Sequence, residues 1–217
     1  MTITAHSGCM DTPENSMASI RAGFENGADI CEIDVRVPDG CEPILSHNSP
    51  KDPSACEKLE EALAFLASRE GGMYNLDVKD PKNLERVQAL AEQYGVLDRV
   101  FFTGVWPNFV RAVRASCPKI PYYLNLRIPP KWKYSKTFCR FLRNYVQETG
   151  AVGLNTNKGN LSKTLVEVFH RKDLPVSVWT ARSEEDFREC LACAPDNITT
   201  TRPDLRRLIG ENETEKS

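Results

Sequence analysis

Short β-branched, apolar runs alternate along this chain with amphipathic stretches of helical period, and the alternation continues from the first residues almost to the last. The pattern predicts strands over 2–5, 30–37, 73–79, 100–103, 121–128, 152–157, 176–180 and 197–201. Between them it predicts helices over 17–26, 59–68, 83–94, 107–116, 135–148, 161–171 and 183–193, with a last short helix from Pro203. Gly27, Gly71, Gly95 and Gly150 stand where helices should stop, and Pro13-Glu14-Asn15-Ser16 suits a helix start. Eight strand-helix units without a long structureless gap predict a closed parallel (βα)8 barrel, a TIM barrel, rather than an open doubly wound sheet. One barrel domain is expected over 1–210, with the polar residues 211–217 as a frayed tail.

The pattern breaks at the strand ends, and the breaks carry the chemistry. Glu32 and Asp34 lie two apart on the second strand and so share a face, where two acids make poor core. The turn Pro38-Asp39-Gly40 brings the chain back through Pro43-Ile44-Leu45 to His47. His6 follows the first strand, Asp77 and Lys79 share a face of the third, and Trp179 ends the seventh. In this architecture the carboxyl ends of the strands form the active site. Three carboxylates with no Cys or His among them, Glu32, Asp34 and Asp77, suit one hard cation, Mg²⁺ or Ca²⁺; the alternative is that each acid pairs with a Lys or Arg. Lys79 beside them would hold an anionic oxygen. Its carboxylate neighbours would raise its pKa, which opposes Schiff-base chemistry. His6 and His47 can divide the work of general acid and base, whereas His170, near a helix end, suits the surface.

Composition narrows the class. Hydrophobic residues make up 41% of the 217, the net charge is −2 and the pI is about 6.0. That balance predicts engagement of neither nucleic acid nor an anionic membrane. No run is long enough to span a membrane, and the first residues lack the pattern of a secretory signal, so a cytoplasmic protein is expected. The eight cysteines are scattered and the Cys190/Cys193 pair has no second pair to complete a zinc site, which predicts reduced thiols.

Together, His6-Ser7-Gly8, Pro13-Glu14-Asn15-Ser16, Glu32-Ile33-Asp34, Asp39-Gly40, Ser46-His47-Asn48, Asn75 to Lys79, Val178-Trp179-Thr180 and Thr201 to Asp204 resemble the signature of the glycerophosphodiester phosphodiesterase family. The resemblance implies a TIM barrel, His6 and His47 as acid and base, and a divalent cation on Glu32, Asp34 and Asp77, the last in place of a more usual Glu. It implies hydrolysis of a small-molecule phosphodiester, such as a glycerophosphodiester, to glycerol phosphate and an alcohol. The alternatives are a lyase that releases a cyclic phosphate, a non-catalytic barrel that binds phosphodiesters, and a metal-dependent lyase or aldolase acting on a phosphosugar. Three features depart from the family: Ser7 where an Arg is usual, Asn48 where an Asp is usual, and only a short segment before Leu59 where a subdomain is common. Ser7 offers substrate one neutral hydrogen bond in place of a bidentate charged grip. Anion binding is therefore expected mainly from Lys79, with Arg127 on the face of Asn125 as helper and Arg182 as a lesser one, and with Trp179 in the substrate wall. The short segment predicts an open mouth.

Overall fold

The β-branched runs pair in parallel, each with the next in the chain. In the computed structural model, which describes residues 1–209, the barrel strands are β1 (Thr2–Ala5), β2 (Ile30–Arg36), β3 (Met73–Val78), β4 (Val100–Val105), β5 (Tyr122–Asn125), β6 (Gly153–Asn157), β7 (Val176–Ala181) and β8 (Asn197–Thr200). β8 pairs with β1 from Thr2↔Asn197 to Ala5↔Thr200, and β1 pairs with β2 through Thr4↔Ile30 and Ala5↔Cys31, so the sheet closes on itself. A ninth, two-residue strand, Ile44–Leu45, returns antiparallel along Arg36 and Val35. The polar tail expected at 211–217 lies outside the described residues.

Helices fill the connections: α1 (Met17–Glu25), α2 (Leu59–Ala67), α3 (Glu85–Gln93), α4 (Val110–Ser116), α5 (Lys136–Thr149), α6 (Lys163–His170) and α7 (Glu184–Leu191). Serine opens four of them. Ser16, Ser135, Ser162 and Ser183 each accept the backbone N–H three residues on, satisfying a donor that the first turn cannot. The last unit opens with a 3₁₀ turn, Pro203–Arg207, and Leu208 and Ile209 follow it in α-helical conformation. Among the described residues no helix is long and apolar enough to cross a membrane.

Strand alternation divides the interior into two chemistries. Outward residues such as Ile33, Leu76, Phe102, Leu124, Leu154 and Val178 are fully buried or nearly so beneath the helices, and that annulus is the hydrophobic core. Inward positions carry Thr4, Asn75, Thr103, Asn125, Asn155, Ser177 and Asn197, buried and bonded to one another. Examples are Thr4 Oγ1 to Asn197 Oδ1 at 2.8 Å and Asn197 Nδ2 to Ser177 Oγ at 2.9 Å. The lumen is therefore polar, and the acids of β2 continue that layer upward.

One strand is shorter than its sequence suggests. The run over 121–128 leaves the sheet after Asn125, and Pro129 and Pro130 beyond it have no N–H with which to rejoin a ladder. The chain leaves the sheet and makes a 3₁₀ turn at Trp132–Tyr134. Arg127 is thus on a loop.

Candidate active site

The acids converge because β2 and β3 run in register. Asp34 lies opposite Asp77 and Glu32 opposite Asn75, all above the polar lumen. Glu32, Asp34 and Asp77 each offer an oxygen within 4.8 Å of the others. Glu32 is 7% exposed and Asp34 4%. Burial, reinforced by the charges of Asp34 and Asp77, pushes the Glu32 carboxyl well above the usual carboxylate range. Such a donor set, all oxygen and mutually repelling, fits a divalent hard cation.

Other groups hold the acids in place. The Ser7 N–H donates to Glu32 Oε2 at 2.9 Å, and the Ser7 hydroxyl accepts the N–H of Asn15. Asn15 in turn grips Asp34 twice, Nδ2 donating to Oδ2 at 2.9 Å and Oδ1 accepting the Asp34 N–H at 2.9 Å. Thr103 Oγ1 lies 2.9 Å from Asp77 Oδ1 and 2.7 Å from Asn75 Oδ1. Gly104, at φ +68°, is forced: a Cβ there would stand 2.6 Å from Asp77 Oδ1 and 2.5 Å from the Val78 carbonyl oxygen.

Lys79 Nζ lies 2.7 Å from Asp34 Oδ1 and also bonds Asp77. Burial disfavours its charge, but Asp77 and Asp34 outweigh burial and hold the ammonium above its ordinary pKa, so it stays a cation. His6 is half-buried, and its Nδ1 lies 2.7 Å from the Ser7 carbonyl oxygen. A carbonyl only accepts, so the neutral ring carries its proton on Nδ1 and leaves Nε2 free. His47 is exposed, its Nδ1 3.2 Å from Asn48 Oδ1, and Arg36 anchors its carbonyl through two hydrogen bonds. His6, His47, the three acids and Lys79 all line one cavity of about 500 Å³ at the carboxyl ends of the strands.

Trp179 lines the same cavity. Its Nε1 and Asn155 Oδ1, on another wall residue, are buried polar atoms without a partner among the described residues. Two residues expected to meet substrate stand outside the cavity wall. The Ser7 side chain does not line the cavity; its hydroxyl accepts the Asn15 N–H, within the network that holds the acids. Arg127 is exposed on its loop, its guanidinium 5.6 Å from the centre of the Trp106 ring, outside the cavity wall that Trp106 helps form. Arg182, ranked below it from sequence, does line the cavity. His170 is apart from all this, paired to Asp196 at 2.8 Å. Sequence reading missed Asn15 and Thr103 as supports and Gly104 as the surface against which Asp77 rests. Asn15 stood within a quoted motif, but nothing local told which side chain it would meet.

Comparison with known proteins bears on the whole arrangement. A model of the glycerophosphoryl diester phosphodiesterase family matches residues 66–205, more than half of the chain, and the matched span includes Asp77, Lys79 and Trp179. Among curated proteins no sequence matches. Solved structures match over nearly the full length. A Silicibacter pomeroyi protein has a TM-score of 0.82 at 16% identity, covering 98% of this chain and 94% of that one. A glycerophosphodiester phosphodiesterase of Agrobacterium tumefaciens gives 0.72 at 19% identity, covering 97% and 100%. An Oleispira antarctica phosphodiesterase, in complex with the product sn-glycerol-3-phosphate, gives 0.77 at 17%, covering 97% of each chain. At such identities the likeness establishes the barrel.

Proposed function

This chain belongs to the glycerophosphoryl diester phosphodiesterase family, and from that premise we propose that it hydrolyses a glycerophosphodiester to glycerol phosphate and an alcohol, with one divalent cation. The observation that carries the reading is the convergence of two histidines, a charge-locked lysine and three carboxylates on one cavity. As a member of that family the chain is a phosphodiester hydrolase.

Glu32, Asp34 and Asp77 would hold Mg²⁺ or Ca²⁺, which when bound supplies Lewis-acid neutralisation of phosphate charge. Lys79, kept cationic by Asp34 and Asp77, meets a nonbridging phosphate oxygen. The free Nε2 of His6 takes or gives one proton, and His47 in the same cavity wall handles the other. Trp179 Nε1 can donate to a substrate oxygen and Asn155 Oδ1 can accept a substrate hydroxyl, so that the diol end of a glycerol phosphate satisfies both orphaned atoms. Arg182 supplies the second cation at the rim that the sequence reading gave to Arg127. A reducing, cytoplasmic setting agrees with eight free thiols, five of them buried.

The test is turnover of glycerophosphocholine with Mg²⁺ or Ca²⁺, followed by phosphorus NMR. Glycerol phosphate is the expected end product. Accumulation of a cyclic phosphate that is never opened would make the protein a lyase, and no turnover of any glycerophosphodiester would leave the reading without support.

A further inference from the structure

The net charge of −2 averages over a sharp asymmetry. Between Arg99 and Gln147 the chain carries ten Lys and Arg residues and not one Asp or Glu. The densest part of this stretch is the loop after β5 and the start of α5, where cations interleave with aromatic rings. Arg127, Lys131, Lys136 and Arg140 are exposed, and none of them pairs with a carboxylate among the described residues. Trp132 is 53% exposed, Tyr134 64% and Phe141 64%, three of the five exposed large hydrophobic side chains among the described residues. Trp132 and Phe141 are joined through Phe138, whose ring centre lies 4.8 Å from Trp132 and 6.3 Å from Phe141, while the Tyr134 ring lies 5.3 Å from Lys133 Nζ.

This strip sits beside the active-site mouth. Lys133 Nζ bonds the Gly159 carbonyl at 2.7 Å and Ser162 Oγ donates to the Lys133 carbonyl at 2.6 Å, which ties the loop to the segment leaving the carboxyl end of β6. At its other end Arg127 lies over Trp106, a residue of the cavity wall. Tryptophan and tyrosine, apolar bodies with one polar handle, are the side chains that settle at the headgroup level of a bilayer. Unpaired Lys and Arg around them complement an anionic leaflet. A single-stranded nucleic acid would want rings arranged as stacking platforms; here Trp132 and Phe138 meet at 61°, edge to face.

We propose that the basic aromatic face formed by the loop after β5 and the first turns of α5 docks the barrel mouth onto an anionic phospholipid surface. This inference goes beyond the hydrolysis reading and does not depend on it.

The full chain is sedimented with phosphatidylcholine vesicles and with vesicles that also contain phosphatidylserine. The expected result is binding to the second only, weakened as salt rises from about 0.15 M to about 0.5 M, where the Debye length falls well below 8 Å. Each Lys or Arg near an anionic surface contributes roughly fivefold in partitioning, so K131E/K136E/R140E should lower it on the order of a hundredfold. W132A/F141A should weaken it at low salt as well. Both variants should keep the wild-type thermal melt and the wild-type rate on soluble glycerophosphocholine, and the melt reports folding even if no diester is turned over. Failure of the wild type to sediment with phosphatidylserine vesicles at low salt overturns the proposal, as does wild-type binding by either variant. Tighter binding to a single-stranded RNA oligonucleotide, with complete release from vesicles, would make nucleic acid the occupant and overturn it equally.

Discussion

At Glu32, burial and the charges of Asp34 and Asp77 act in the same direction, both opposing ionisation. With no cation bound, the folded protein keeps the Glu32 proton above the pH at which the unfolded chain releases it, near 4.3 or so. The folded state then binds more protons, so the metal-free protein should lose stability as pH rises from that unfolded value through the raised folded one. Divalent-ion binding competes with the same proton, and Mg²⁺ affinity should climb with pH across that window. Thermal melts with chelator and with Mg²⁺, and calorimetry in buffers of different ionisation enthalpy, check both; a pH-independent affinity would contradict them. Lys79→Ala removes the cation between Asp34 and Asp77 and should cost about 2–5 kcal/mol in kcat/KM, the scale for truncating one partner of a buried charge contact. His6→Ala and His47→Ala should each lower kcat by about 10²–10⁴-fold, while His170→Ala, at its remote pair with Asp196, should leave turnover unchanged. Wild-type kcat in either of the first two would remove that histidine from the mechanism.

At the scale of elements, the site depends on contacts between neighbouring strands and the loops above them. β4 supports β3 through Gly104, whose missing Cβ leaves room for the Asp77 carboxylate. Gly104→Ala should displace Asp77 and strain the positive φ. The expected outcome is divalent-ion affinity reduced at least tenfold, read by calorimetry, with the barrel still folded by circular dichroism. The loop after β1 does comparable work, since Ser7 and Asn15 between them fix Glu32 and Asp34. Ser7→Ala keeps its backbone bond to Glu32 but leaves the Asn15 N–H unmatched, a loss of about 1–3 kcal/mol. It should therefore weaken metal binding through Asp34 and not substrate affinity at saturating metal; a rise in KM alone would return Ser7 to the role first read from sequence.

For the whole molecule, barrel closure places a polar lumen under the site and keeps the apolar annulus outside it. That separation lets three acids share one point without opening the core to water. Prolonged chelation should abolish diester hydrolysis, and Mg²⁺ or Ca²⁺ should restore it, since the clustered ligands among the described residues are three carboxylates. Full activity in the chelated protein would exclude a catalytic role for the cation. The antiparallel arm at Ile44–Leu45 and the short loop after His47 leave that histidine exposed at the rim.

The sequence by itself determined the order and type of the elements and the position of the candidate site residues near strand ends. Strand period and chain direction are local properties, and an acid two residues from another on a β-run must share its face. The eight strands appear within a few residues of their expected bounds, and His6, Glu32, Asp34, His47, Asp77 and Lys79 meet in one cavity. Only the tertiary structure decided what the polar side chains do once there. Ser7 meets the Asn15 backbone, and Asn15 meets Asp34, across loops whose approach no periodicity encodes. Arg127 stands on a loop outside the cavity because β5 stops at Asn125, whereas Arg182 lines it. The basic aromatic strip was likewise hidden in an average. Net charge sums over the chain, whereas a surface exists only after folding has brought one part of that chain together and turned it outward.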